Sequence, residues 1–115
     1  MTTLLTQAAL RFRDAYHARA DLVAEQADWT RTIALVAADT GESVAVRISS
    51  GRIVACVERA FEGDVVISSS EQTLCDILDL RQGPNEPYLF GDLVVRGPEA
   101  DFLRLDYLTS RLCPE

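Results

Sequence analysis

The sequence has no lysine, and only one histidine (His17), one tryptophan (Trp29) and one methionine (Met1). Without lysine there is no side-chain amine to form a Schiff base or to act as a low-pKa base, and all eleven cationic side chains are arginines. A lone histidine supports neither a histidine-based metal cluster nor a catalytic pair, because no Cys or carboxylate partner stands at ligand spacing from it; a surface helix position accounts for His17. Cysteine is sparse too. Cys56, Cys75 and Cys113 form an odd set with no close pair, which excludes a disulfide framework and a Cys-x-x-Cys redox or zinc site and fits a reducing cytosol. Each is read as a small buried hydrophobe rather than a nucleophile. No window approaches the roughly 18 continuous apolar residues of a membrane span, and Met1 to Ala9 lacks the positive cluster of a secretory leader. Secretion and stable membrane anchoring are therefore not expected.

The glycines form no Gly-x-Gly-x-x-Gly and there is no Gly-Lys-Ser/Thr phosphate loop, so no nucleotide cofactor, and no other cofactor, is expected. Eighteen acidic residues against eleven basic ones give a net charge of −7, which opposes nucleic acid and anionic headgroups. The aromatics are scattered without interleaved basic residues, unlike a base-stacking platform. What is present is an ordinary globular composition, 48% hydrophobic and 25% charged over 115 residues, which predicts a single domain spanning residues 1–115.

Apolar residues Leu5, Ala8, Ala9, Phe12, Ala15 and Tyr16 recur at helical steps and predict an amphipathic helix from Thr3 to about Ala24, capped by Thr2 or Thr3. From Trp29 the pattern turns to β-branched alternation. Strands are predicted at Trp29–Val36, Ser43–Ile48 and Arg52–Glu58, joined by the turns Asp39-Thr40-Gly41-Glu42 and Ser49-Ser50-Gly51, as an antiparallel meander. Val44, Val46 and Ile48 fall on one face of the second strand. A fourth strand, Asp64–Ser68, leads into a helix whose start carries a capping-box pattern at Ser69-x-x-Gln72 or Ser68-x-x-Glu71, with Leu74, Ile77 and Leu78 on its apolar side. Gly83-Pro84 ends it. Asn85-Glu86-Pro87 reads as a turn, Tyr88 to Phe90 as one helical turn, Leu93–Arg96 as the last strand, and Pro98 to Leu112 as a final helix with Phe102, Leu105, Leu108 and Leu112 in one row. The order helix, four strands, helix, strand, helix predicts an α+β fold: a five-stranded, mainly antiparallel sheet with helices packed on one face. Asp76, Asp79, Asp101 and Asp106 are read as solvated helix faces, and no catalytic or metal-binding residue is assigned.

From Asp64 to Leu112 the sequence resembles the sterol carrier protein 2 (SCP2) family of lipid-binding domains. The matching features are the strand Asp64-Val65-Val66-Ile67-Ser68, the helix Glu71 to Leu78, Gly83, the run Tyr88 to Gly97 and the helix to Leu112. The most specific is Gly91-x-Leu93-x-Val95-x-Gly97. The first half agrees in architecture alone. The resemblance implies an SCP2-like sheet with an apolar tunnel under its helices that takes a sterol, fatty acid or fatty acyl derivative. It implies Leu74, Ile77, Leu78, Leu89, Phe90, Leu105 and Leu108 as large cavity-lining residues, with Ala8, Ala9, Ala34, Ala37, Ala45 and Ala55 as small wall residues; the same side chains would equally build a solid core. Asp92 stands where many members carry a basic residue and offers little attraction for CoA phosphates. The ending Leu112-Cys113-Pro114-Glu115 is not the peroxisomal signal of some relatives, so a bacterial-type cytoplasmic protein is expected. The expected function is binding and transfer of a hydrophobic small molecule without catalysis. The alternatives are an accessory subunit docked on a lipid- or isoprenoid-metabolising enzyme, and a small enzyme using Asp92 or Asp106. The expected partners are thus a hydrophobic ligand, a partner enzyme and, as a homodimer, a second copy of the chain.

Overall fold

The structure, a computed structural model, describes residues 2–113. Met1, Pro114 and Glu115, on which the readings of the two chain ends partly fall, lie outside the described residues. The meander forms as β1 (Arg31–Ala37), β2 (Ser43–Ser49) and β3 (Arg52–Glu58). Ser50 and Gly51, both at positive φ, make the two-residue turn between β2 and β3, whose twist matches that of the flanking strands. The register sets Ile33 opposite Val46 and Ala34 opposite Ala45, so one face is branched and apolar and the other small.

After β3 the chain does not turn back. Residues 59–64 cross the small-residue face of the sheet, and β4 (Val65–Ser69) then pairs parallel to β1, Val65 beside Ile33. Gly63 lies so close to the sheet that a Cβ would stand 2.6 Å from the Thr32 carbonyl oxygen, so the crossing requires glycine there. The last strand, β5 (Val94–Arg96), pairs antiparallel to β4 and completes the order β3-β2-β1-β4-β5. The α+β class and the mainly antiparallel five-stranded sheet agree with expectation, with β1–β4 as its parallel pair.

The helices lie on the branched face. They are α1 (Leu4–His17), α2 (Ala20–Glu25), α3 (Glu71–Leu78), α4 (Asn85–Leu89) and α5 (Glu99–Leu112). Thr3 caps α1 by accepting from the Thr6 amide at 3.1 Å, and Ser70 caps α3 by accepting from the Thr73 amide at 3.1 Å. Neither expected capping box forms; Ser69 instead donates its hydroxyl to the Asp92 carbonyl at 2.6 Å. The first helix is shorter than its periodicity predicts, because Arg19 leaves helical geometry between α1 and α2. Its apolar stripe, Leu5, Ala8, Ala9, Phe12 and Tyr16, is fully buried against α3 and the sheet. Each large side chain so buried contributes about 1.5–3 kcal/mol. Among the described residues no helix is long and apolar enough to cross a membrane.

Candidate functional site

Between the helices and the branched face of the sheet lies an apolar cavity of about 30 Å³. It is walled by sixteen residues and the surface exposed to it is wholly apolar. Ile33 and Leu35 of β1, Val46 and Ile48 of β2, Ile53 of β3 and Ile67 of β4 make the floor. Phe12 and Tyr16 of α1, Leu74, Ile77 and Leu78 of α3, and Leu105 and Leu108 of α5 make the roof, with the buried Trp29, Pro84 and Leu93 completing the wall. A space of this size holds a water-sized sphere or two, against roughly 300–1,000 Å³ for a small-molecule pocket. The walls are in near contact, and anything much larger than water would have to part them.

The polar groups around the cavity point away from it. The Tyr16 hydroxyl donates to the Gly51 carbonyl at 2.5 Å, and burial raises its pKa, keeping it neutral. The Trp29 indole N–H donates to Asp101 Oδ1 at 2.8 Å, while Arg31 Nε donates to Oδ2 at 3.2 Å, so Asp101 is a buried, doubly anchored carboxylate rather than a solvated one. His17 is half-buried rather than on the surface: its Nε2 accepts from the Ile53 amide at 3.1 Å, and desolvation lowers its pKa. Asp79 takes both Nε and Nη2 of Arg11, and those hydrogen bonds hold its pKa below the usual carboxylate range. Burial pushes the Cys56 and Cys75 thiols up, away from a reactive thiolate. No cluster of three or more His, Cys, Asp or Glu among the described residues could hold a metal ion. Neither Asp92 nor Asp106 lines the cavity.

Five of the seven expected large residues, Leu74, Ile77, Leu78, Leu105 and Leu108, meet around this space. Leu89 and Phe90 do not. They stand 72% and 74% exposed, because α4 turns Pro87 inward and so directs its C-terminal end to solvent. None of the six alanines lines the cavity either. Ala8, Ala9 and Ala37 let α1 and the neighbouring elements close onto one another, which removes space instead of leaving it. Ala34, Ala45 and Ala55 belong to the opposite face of the sheet. There Thr32, Ala45, Arg47 and Val57 join the crossing segment Ala60 to Asp64 around an open groove of about 530 Å³. The floor residues lie outside the expected set, although the alternation in β2 places Val46 and Ile48 on one face.

No protein-family model and no curated protein matches the chain. Solved structures do. The crystal structure of sterol carrier protein 2 aligns with a TM-score of 0.68 at 20% identity, over 97% of this chain and 92% of that one. The fold is that of sterol carrier protein 2. The SCP2 domain of the ubiquinone synthesis protein UbiJ aligns at TM-score 0.67 and 14% identity, over 90% of this chain and 89% of that one. Sterol carrier protein-2 like-3 from Aedes aegypti follows at TM-score 0.64 and 13% identity, covering 89% of this chain and 95% of that one. In this SCP2-like fold the cavity lies between the sheet and the helices.

Proposed function

We propose that this SCP2-like domain binds one hydrophobic small molecule, a sterol, fatty acid or fatty acyl derivative, between its helices and its sheet, and carries it without performing chemistry. The observation that carries this reading is a wall of sixteen residues whose surface toward the cavity is wholly apolar. Leu74, Ile77, Leu78, Leu105 and Leu108 are the roof contacts in this reading, with Ile33, Ile48 and Ile67 beneath the ligand. A slim alkyl chain fits better than a rigid ring system, since it parts closely set walls by the smaller distance. Burying a few hundred Å² of ligand at about 25 cal/mol per Å² supports a micromolar Kd once association costs are met. The neutral lining and the excess of acidic charge favour an uncharged or free-acid ligand over an acyl-CoA. The dispersed, unpaired cysteines support a cytoplasmic location, and the carrier acts as one domain over residues 1–115.

Displacement of a fluorescent fatty acid, with native mass spectrometry of the complex, tests the reading. Leu105→Trp is expected to fill the cavity and weaken binding by about tenfold or more. An absence of uptake at roughly 50 μM probe, well above the expected Kd, overturns it. The likeness to the SCP2 domain of UbiJ, a ubiquinone synthesis protein, favours an accessory subunit as the second reading. Co-purification of a lipid- or isoprenoid-metabolising enzyme with a protein that binds no fatty acid would select it.

A further inference from the structure

Accepting the carrier reading, on which this rests, a ligand has to pass a wall that is closed. The walls differ in how they are held. α1 is fastened to α3 by the two Arg11–Asp79 hydrogen bonds and to the β2–β3 hairpin through Tyr16 and His17. α5 is fastened by Asp101 to Trp29 and Arg31, and by Arg104 to Gln26 and Asp28. α3 receives its Ser70 cap, and its Glu71 amide donates to Asp39.

The segment from Gln82 to Gly91 has nothing comparable. Among the described residues, every hydrogen bond of Gln82 to Gly91 runs within the segment or to the adjacent Asp92: Tyr88 N–H to the Pro84 carbonyl, Phe90 N–H to Glu86, Gly91 N–H to Tyr88 and Asp92 N–H to Pro87. It is a self-bonded turn of helix between two fixed points. Upstream the Leu80 carbonyl accepts from Cys113 Sγ, and downstream the Asp92 carbonyl accepts from Ser69. Gly91, at φ +81°, supplies a joint that other residues rarely adopt. Pro84 lines the cavity from this segment, and the Tyr88 ring rests on Phe102 at 4.8 Å between centroids. Leu89 and Phe90 crown its outer side, exposed where a monomer usually hides such side chains.

We infer that residues 82–91 form the portal of the cavity, a flap that swings on Gly91, withdraws Pro84 and offers Leu89 and Phe90 as the first apolar contact for an arriving alkyl chain. The cavity then opens at its least-tethered wall while α1, α3 and α5 keep their places. Tyr88 is the latch.

Stopped-flow uptake and release of cis-parinaric acid tests this with the whole chain. Tyr88→Ala removes the latch and is expected to raise the association and dissociation rates together, by about two- to tenfold, with little change in Kd. Gly91→Ala, which has open space around it but a strained φ, is expected to act in the same direction and serves if Tyr88→Ala does not fold. Arg11→Ala, which removes the two hydrogen bonds between α1 and Asp79 at the end of α3, is expected to leave both rates as they are. Unchanged rates in the latch variants, or an equal acceleration from Arg11→Ala, would place the opening elsewhere and overturn the flap. A wild-type protein that takes up no probe at equilibrium sinks the carrier reading itself, a result distinct from intact binding with rates indifferent to Tyr88.

Discussion

On its helix side the sheet presents Ile33, Leu35, Val44, Val46, Ile48, Ile53 and Ile67; on its other side the same strands present Thr32, Ala34, Val36, Ser43, Ala45 and Arg47. Both faces contain fully buried residues. Ala34 and Ser43 are as inaccessible as Val44, yet they lie on the face that the crossing segment passes over, not the one under the helices. Burial alone thus says little about role. A face of branched side chains under helices leaves a small apolar hollow, whereas small residues under a strap let backbone pass close above them.

The sharpest way to break this comparison is to cut the same strand on each side. Ile67→Ala, at the cavity floor, is expected to cost about 2–5 kcal/mol in urea denaturation, and its outward neighbour Val66→Ala about 1 kcal/mol or less. Equal losses would mean that the two faces carry similar packing. A smaller effect of opposite sign is expected from Ser43→Ala. The Ser43 hydroxyl is buried without a hydrogen-bond partner among the described residues, and removing it should stabilise the fold by about 1 kcal/mol.

The smallest effect is in pH. His17, the one histidine, reports on the helix side alone. Its pKa is lowered by desolvation, so the folded chain favours the neutral ring that accepts from Ile53. The unfolded chain then binds the proton more readily. Stability is full above the unfolded value of about 6.5 and falls as pH drops below it toward the folded pKa. His17→Gln should flatten the denaturation midpoint between about pH 7.5 and 5, a window above the range where Asp79, whose pKa is also lowered, begins to lose its share. An unchanged slope in the variant would show that His17 is not the titrating group.

Much of this fold is legible in local pattern. β3 falls where alternation and Gly51 place it, Arg52–Glu58, and α3 and α5 present the expected leucines to the cavity. What escapes is set by distant neighbours. Nothing between His17 and Ala20 breaks a helix by its own propensity. The chain bends there while Tyr16 and His17 are tied to the β2–β3 hairpin. Trp29 reads as the head of β1 but ends a turn, its amide bonded to the Gln26 carbonyl and its ring directed at Asp101. The site was half legible for the same reason. Helical rows show which leucines face inward, but no local signal tells an alanine under α1 from one under the strap, and the phase of a one-turn helix such as α4 depends on Pro84 and Pro87 finding the core.

The parallel pairing of β1 with β4 also orders the assembly of the molecule. The stretch between those strands contains the β2–β3 hairpin, so β4 reaches β1 only by closing a long loop, which is slow. β5, the flap and α5 follow β4 in the chain. The hollow beneath the helices is therefore expected to be the last part of the protein to come into being, and the first to be lost when the C-terminal helix lets go.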